Sequence, residues 1–306
     1  MYCYAKQPED WDALQKAFIE RTQAISDFYP ELVFAFGSDH FNGFFLKTMP
    51  AFCVGLSAEA SADIGGFAGA LDVPEKTAFK CVEYLREHDV DSAVSYQITV
   101  DHAFSQTIHI ALGALTARPT IPIFINCITR PFVPFRRSRL LGEAIGRFAL
   151  SLNKRVLFLA SGGMSHHPTR YYPEHGKGES GVEAWKLSGG DDPDSFTSTQ
   201  WLERLDVMHR EGAKMIADGE RTAKDMRLNP ESDQRFLDVL IRNKLEEFDN
   251  WNQVKLVEEG GIGSMELHTW IAAAAAHKAA GGKAPVKDFY SVATEIGIAA
   301  GIVHAN

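Results

Sequence analysis

The stretch ELVFAFGSDHFNGFF, residues 31–45, decides the fold class. Residues 32–37 form an apolar run that is too short for a buried helix, so they predict a strand with both faces buried. The polar residues that follow place Asp39, His40 and Asn42 directly after this strand. We therefore predict a central strand that carries polar side chains at its carboxyl end.

Three further runs are short and rich in β-branched or aromatic residues, and they also predict strands: SAVSYQITV (92–100), IPIFINC (121–127) and KRVLFLA (154–160). Helical patterns lie between them at 75–88 and 136–152. Because strands and helices alternate, we predict an α/β fold with a central, largely parallel or mixed sheet that is flanked by helices.

The remaining segments extend this pattern without adding a second domain. Helices are predicted at 9–28, 199–227 and 232–248, and a last one begins near Ser264. Residues 171–197 are polar and rich in Gly, Asp and Pro, which predicts a long surface loop or lid. No internal repeat is present, so residues 1–306 are interpreted as a single domain.

Composition excludes several classes of partner. The 306 residues carry a net charge of -9, so the average surface repels nucleic acid and anionic lipid. No run of apolar residues is long enough to predict a membrane span. The four cysteines have no CxxC spacing, which favours reduced thiols in the core of a cytoplasmic protein: Cys3, Cys53, Cys81 and Cys127.

Histidines follow three of the predicted strands. His40 follows the first strand, His102 follows SYQITV and Asp101, and His166 follows the strand that ends at residue 160. Taken singly, each could be a hydrogen-bonded loop residue. Together they indicate a site, because the carboxyl ends of strands in an open α/β sheet share one crevice. Histidine can move a proton at neutral pH or bind a metal there.

A carboxylate candidate lies in GIGSMELHTW. Glu266 falls in the first turn of the last helix if Ser264 is its N-cap, and interaction with the helix dipole is the favoured interpretation from the residues alone. Nucleotide binding is not supported, because SGGMS lacks the lysine of a P-loop. A serine hydrolase is not supported either, because the chain has no GxSxG elbow.

Longer motifs carry a family resemblance. The segments PELVFAFGSDHFNGFF, SYQITVDHAFSQ and LNKRVLFLASGGMSHHP resemble the LigB-like extradiol dioxygenases that act on 2,3-dihydroxyphenylpropionate, from about Pro8 to beyond Trp270. The resemblance implies ring cleavage of a catechol with O2 in aromatic-compound catabolism. It also implies a homo-oligomer and a mononuclear Fe(II) held by two histidines and one glutamate, which leaves positions open for substrate and oxygen.

The resemblance assigns roles to four residues. It implies that His40 and Glu266 are iron ligands. His102 matches the family's VDH position and His166 its SGGxSH position, which are the two acid/base histidines. One would deprotonate the catechol and the other would supply a proton during ring expansion, and the order of the two stays open.

The chain departs from the family at its start. The family's other iron histidine lies in a His-Ser-Pro-like motif after a first strand, whereas MYCYAKQPED contains neither strand nor histidine. One explanation is that an upstream segment is missing, and the other is a non-catalytic or metal-deficient subunit. Retention of His40, His102, His166 and Glu266 favours the first. In either case we expect the chain as given to bind Fe(II) weakly.

Two further interpretations remain open. Metal-dependent hydrolysis at the same residues fits less well, since hydrolases usually use additional ligands or a second metal. Arg136, Arg137 and Arg139 could clamp a substrate carboxylate, although an exposed basic helix face is the favoured interpretation of this cluster.

Overall fold

A computed structural model describes residues 7–306 of the protein, so Cys3 lies outside the described residues. The strands, in chain order, are β1 Leu32–Gly37, β2 Phe52–Gly55, β3 Ala58–Ala60, β4 Gly69–Ala70, β5 Ala93–Ser95, β6 Ile98–Val100, β7 Thr120–Ile125, β8 Val156–Ala160, β9 Val286–Ala293 and β10 Ile298–His304.

The α-helices are α1 Trp11–Phe28, α2 Glu75–Glu87, α3 His102–Leu112, α4 Phe135–Ser151, α5 Ser180–Ser188, α6 Ser198–Ala217, α7 Pro230–Ile241, α8 Gln253–Gly260 and α9 Leu267–Ala279. Short 3-10 helices lie at Pro168–Arg170, Gly189–Asp191, Leu245–Asn250 and Ile262–Glu266. None of the helices within residues 7–306 is long and apolar enough to cross a membrane.

The predicted α/β fold is confirmed, and the sheet is mixed. Its five strands lie in the order β5-β2-β7-β1-β8. β1 is parallel to both of its neighbours, with Val33 opposite Thr120 on β7 and Leu157 on β8, whereas β2 runs antiparallel to β7. Every residue of β1 and β7 is buried, which explains why these strands are continuous apolar runs in the sequence.

Two helices pack unusually closely over one face of this sheet. A Cβ atom at Gly142 would overlap the carbonyl oxygen of Ala272, and one at Gly146 would overlap that of Ala276. Only glycine lets the α4 backbone approach α9 this closely. The close contact holds α9 against α4, and Glu266 immediately precedes α9.

The run SAVSYQITV forms two strands rather than the single strand predicted. β5 joins the main sheet, but β6 pairs with β3 in a second sheet of order β4-β3-β6. Tyr96 and Gln97 are exposed between the two strands, and Thr99 is exposed between buried Ile98 and Val100. This alternation is typical of a half-buried strand, and the chain leaves the main sheet before it.

The stretch 171–197 also differs from the prediction, because it contains α5. Val182 and Trp185 are buried, and the Trp185 ring stacks on that of Trp201 with centroids 5.1 Å apart. The polar composition of this stretch concealed an apolar face that packs on α6. α6 itself ends at Ala217, ten residues before the predicted end at 227, and Gly219 follows it with a φ of 76°.

The described cysteines agree with the prediction of reduced core thiols. Cys53, Cys81 and Cys127 are free and buried. Burial raises the pKa of Cys53 to about 12, so this thiol stays protonated and unreactive at neutral pH.

Candidate active site

His40 lies in a tight loop directly after β1. The carboxylate of Asp39 accepts backbone N–H groups from Asn42, Gly43 and Phe44 at 3.0–3.1 Å, which folds the chain back on itself. Phe41 takes a φ of 60° in this turn. The loop thereby holds His40 at the carboxyl edge of the main sheet, where it is only 5% exposed.

Both ring nitrogens of His40 face carboxylates. Its Nδ1 lies 2.8 Å from Oδ2 of Asp101, which also accepts the backbone N–H of His40 at 2.6 Å. Its Nε2 lies 3.2 Å from Oε1 of Glu266. Burial lowers the pKa of His40, but the charge of Asp101 and the hydrogen bonds to both carboxylates outweigh burial and raise this pKa well above its ordinary value.

Asp101 orients the His40 ring through hydrogen bonds and is not itself a free metal donor. It is the N-cap of α3, and its Oδ1 accepts the backbone N–H of Ala103 at 2.9 Å. Burial raises the pKa of Asp101, but the charges of His40 and His102 lower it to about 2. An ionised Asp101 accepts the Nδ1–H of His40 and leaves Nε2 as the nitrogen that can bind a metal.

Glu266 comes from the opposite end of the sequence. It ends the 3-10 helix Ile262–Glu266, is 5% exposed, and accepts the backbone N–H of Gly163 through Oε2. Burial raises the pKa of Glu266, but the hydrogen bond from His40 and the charges of His166 and His40 outweigh burial and lower it. The carboxylate is therefore ionised and faces His40.

His102 lies against His40. It is the first residue of α3, and its ring stacks on that of His40 with centroids 4.4 Å apart. Its Nδ1 lies 2.5 Å from Oδ2 of Asp63, a residue in the loop after β3. Burial lowers the pKa of His102, but the charges of Asp63 and Asp101 and the hydrogen bond to Asp63 together outweigh burial, so the net pKa is raised. With 26% of its side chain exposed, His102 can reach a bound ligand.

His166 lies in the loop after β8, on the side of Glu266. Its Nδ1 lies 2.9 Å from the carbonyl oxygen of Met164, which makes Nδ1 the protonated nitrogen. A side chain at Gly263 would overlap the His166 ring, so the glycines of GGIG permit this close packing. The neighbouring Ser165 binds the buried carboxylate of Asp233 through its N–H at 2.9 Å and its Oγ at 2.6 Å, which anchors the loop.

The structure therefore brings His40, His102 and Glu266 into contact and places His166 beside them. The ligand atoms of His40, Asp101 and His102 also lie within 4.8 Å of one another, so the cluster can hold a metal ion. Asp101 and the Nδ1 of His102 are already occupied by hydrogen bonds, which leaves the facing pair of His40 and Glu266 as the better metal donors.

The geometry of this pair fits a metal ion. Two ligands at roughly 2.1 Å from a metal and at a right angle lie roughly 3 Å apart, and Nε2 of His40 is 3.2 Å from Oε1 of Glu266. A divalent cation can replace the proton that these two atoms share. Within residues 7–306, the other histidine of this cluster is His102, whose Nδ1 is already hydrogen-bonded to Asp63.

Some residues of the site had no sequence signal. Asp63 lies in SAEASADIGG, which matches no catalytic motif, and only the folded chain brings it to His102. The Tyr172 ring lies 5.2 Å from the His40 ring, and burial together with the nearby carboxylates raises its pKa, so its hydroxyl stays protonated. In the sequence, Tyr172 was indicated only by its position in the predicted loop or lid, residues 171–197.

The interpretation of the arginine cluster on α4 as an exposed basic face is wrong for Arg139. This residue is 8% exposed and donates to both oxygens of Asp249, at 2.8 and 2.6 Å, and to Glu143 at 2.5 Å. Each of its three guanidinium nitrogens donates to a carboxylate, because α4 packs against the 3-10 helix Leu245–Asn250. Arg139 therefore has no free pair of parallel N–H donors for a substrate carboxylate.

Comparisons with known proteins identify the family of the chain. Residues 1–302 match the family model of the catalytic LigB subunit of aromatic ring-opening dioxygenase. The chain is 42% identical over 257 residues to 2,3-dihydroxyphenylpropionate/2,3-dihydroxicinnamic acid 1,2-dioxygenase 1 of Pseudomonas putida, covering 84% of this chain and 79% of that protein. The enzyme of that name from a Rhodococcus species is 39% identical over 279 residues, covering 91% and 86%.

The chain belongs to the LigB family of aromatic ring-opening dioxygenases. A further relative, the 2,3-dihydroxyphenylpropionate/2,3-dihydroxicinnamic acid 1,2-dioxygenase of Escherichia coli K12, is 38% identical and covers 88% of this chain and 83% of its own. A solved structure of an uncharacterized protein from Escherichia coli K12 covers 92% of this chain and 91% of its own, with a TM-score of 0.47 and 12% identity.

Proposed function

We propose that this protein catalyses extradiol (meta) cleavage of a catechol with a short carboxylated side chain, such as 2,3-dihydroxyphenylpropionate, using O2 and Fe(II). The observation that carries the proposal is the contact between His40 and Glu266, two residues 226 positions apart, with His102 stacked on His40. The names of the relatives support the substrate class. We propose further that the protein acts in aromatic catabolism as a cytoplasmic homo-oligomer.

His40 and Glu266 would hold the iron. Asp101 fixes the Nδ1–H tautomer of His40, and Gly163 orients Glu266, so both donor atoms are held in place by hydrogen bonds. When bound, Fe(II) offers open coordination positions at which a catechol and O2 can meet. The remaining groups of the site bind, orient and move protons.

His102 is the base in this proposal. Asp63 accepts its Nδ1–H, so Nε2 presents a lone pair, and the carboxylate stabilises the imidazolium that forms when Nε2 takes a proton from a substrate hydroxyl. His166 is then the proton donor. Its Nδ1–H donates to the carbonyl oxygen of Met164, and its Nε2 supplies a proton on the side of Glu266.

An anaerobic titration with Fe(II), followed by 2,3-dihydroxyphenylpropionate and then air, tests the proposal. We expect weak iron binding, oxygen uptake and a yellow ring-fission product, with iron binding lost in Glu266→Gln and His40→Ala. An iron-loaded protein that consumes no oxygen and forms no product would refute the enzyme. A protein that binds no iron at all would instead be the metal-deficient subunit of a related dioxygenase.

A further inference from the structure

A cleft outside the cluster of histidines is lined in part by the cationic side chain of Arg204. It has a volume of about 660 Å³ and lies between the stretch before α5 and helix α6, with Pro173, Val182, Phe196, Gln200 and Arg204 in its lining. The lining also carries charged side chains of both signs: Arg170, Lys177 and Arg204 beside Glu179, Glu203 and Glu211. A lining of this kind suits a charged organic ligand rather than a purely apolar one.

Arg204 is a half-buried cation that forms no direct ion pair among residues 7–306. Its Nη1 donates to the carbonyl oxygen of Tyr171 at 3.1 Å, and its guanidinium stacks over Trp201, 5.1 Å from the ring centroid. Within residues 7–306 the ion pairs of the structure include none to Arg204, whereas Arg139 and Arg170 are paired with carboxylates. Burial lowers the pKa of Arg204, and the charge of Glu179, which acts in the opposite direction, does not outweigh burial.

Tyr172 links this cation to the cluster of histidines. Its ring lies 5.2 Å from that of His40 and 6.4 Å from that of Trp201, the residue under Arg204. Arg204 is hydrogen-bonded to the residue that precedes Tyr172. Arg204 and Tyr172 also interact electrostatically. A short side chain on a catechol placed at His40 would therefore have to pass beside the Tyr172 ring to reach the guanidinium.

We propose that Arg204 binds the carboxylate of the substrate's side chain, an inference that rests on the proposed function. The planar guanidinium can form two parallel hydrogen bonds with a carboxylate, and its stacking on Trp201 holds the plane fixed. Gln200 offers a further amide on the same helix face. Arg204 thereby has the carboxylate-binding role that the sequence analysis considered for the arginines of α4.

The variant Arg204→Met tests this assignment, because methionine retains much of the apolar stem and removes the charge. Turnover is compared on 2,3-dihydroxyphenylpropionate and on 3-propylcatechol, which has a methyl group in place of the carboxylate. We expect kcat/KM to fall roughly ten- to a hundredfold on the carboxylated catechol, mostly through KM, and to change little on 3-propylcatechol. Arg204→Lys should recover part of the loss, since a point charge replaces the fork.

The matched control is Arg210→Met on the same helix, where the guanidinium is exposed and pairs only with Asp206. It should behave as wild type on both substrates. Equal losses on both catechols in Arg204→Met would show a structural role and overturn the inference, and so would no loss on either catechol.

Binding without turnover separates this inference from the proposed function. Calorimetric titration with 3-phenylpropionate, which carries the carboxylate but no hydroxyl groups, should give weaker binding in Arg204→Met than in wild type. If wild type opens neither catechol but still binds 3-phenylpropionate through Arg204, the dioxygenase proposal fails and the anion site stands. If wild type opens the carboxylated catechol and Arg204→Met binds 3-phenylpropionate equally well, only the Arg204 assignment fails.

Discussion

The pairing of Asp63 with His102 predicts the effect of a single-atom change. Asp63→Asn keeps the volume of the side chain and removes its charge, in a buried position that is 5% exposed and 2.5 Å from Nδ1 of His102. The amide oxygen can still accept the Nδ1–H. The imidazolium that forms when His102 takes a proton then loses its ionic partner, while the neutral ground state loses little.

The size of the effect follows from that difference. A hydrogen bond to a charged group contributes roughly 1.5–3 kcal/mol and a neutral one about 1 kcal/mol, so about 1–2 kcal/mol of transition-state stabilisation is lost. This corresponds to a roughly 5- to 30-fold lower kcat, with KM nearly unchanged. If the amide instead turned its NH2 group to Nδ1, the wrong tautomer would form and the loss would reach a hundredfold or more.

The assay is the initial rate of ring-fission product on iron-loaded protein, with iron content measured in the same samples. Glu59→Gln is the control, because it makes the same chemical change on an exposed residue of neighbouring β3 and should leave kcat unchanged. A kcat for Asp63→Asn within about twofold of wild type would refute the role of Asp63. A loss of bound iron equal to the loss of activity would show that Asp63 supports the metal cluster instead.

Further predictions concern the second histidine, the helix contact and acid stability. His166→Phe should leave iron binding nearly intact and slow turnover by roughly a hundredfold or more, and loss of iron binding would contradict its role as a proton donor. Gly142→Val should lower the urea-unfolding free energy by at least roughly 1–3 kcal/mol, because the new side chain overlaps the Ala272 carbonyl. Burial lowers the pKa of His268 to about 3, so the unfolded chain binds a proton that the folded chain does not as pH falls below the ordinary value of 6.5. Stability should therefore decline towards acid by up to about 1.4 kcal/mol per pH unit from this residue, and His268→Gln should flatten the slope while exposed His88→Gln does not.

The sequence located the main sheet because its central strands are buried on both faces. β1 and β7 are therefore continuous apolar runs that need no partner to be recognised. Histidines at the ends of the predicted strands pointed to one crevice, since parallel strands end at a common edge. The run SAVSYQITV was misread as one strand, because a short apolar run does not reveal which of two sheets each half joins.

Family resemblance supplied what the residues alone did not. From its spacing, Glu266 was better explained as a partner of the helix dipole than as a ligand. In the structure its Oε1 faces Nε2 of His40, which makes a ligand role geometrically possible. Iron binding and the proton-transfer roles of His102 and His166 remain predictions for the experiments above.

The sequence by itself determined the α/β class, the buried strands and the strand-end positions of His40, His102 and His166, because these follow from local composition and periodicity. Only the tertiary structure decided that Asp63 bonds to His102, that Arg139 donates to Asp249 and Glu143, and that Arg204 forms no direct ion pair among residues 7–306. The physical reason is that partners such as Asp63 and His102, 39 positions apart, meet through packing that no local pattern encodes. The charge and hydration of a side chain's surroundings, which set its pKa and its free donors, exist only after that packing has formed.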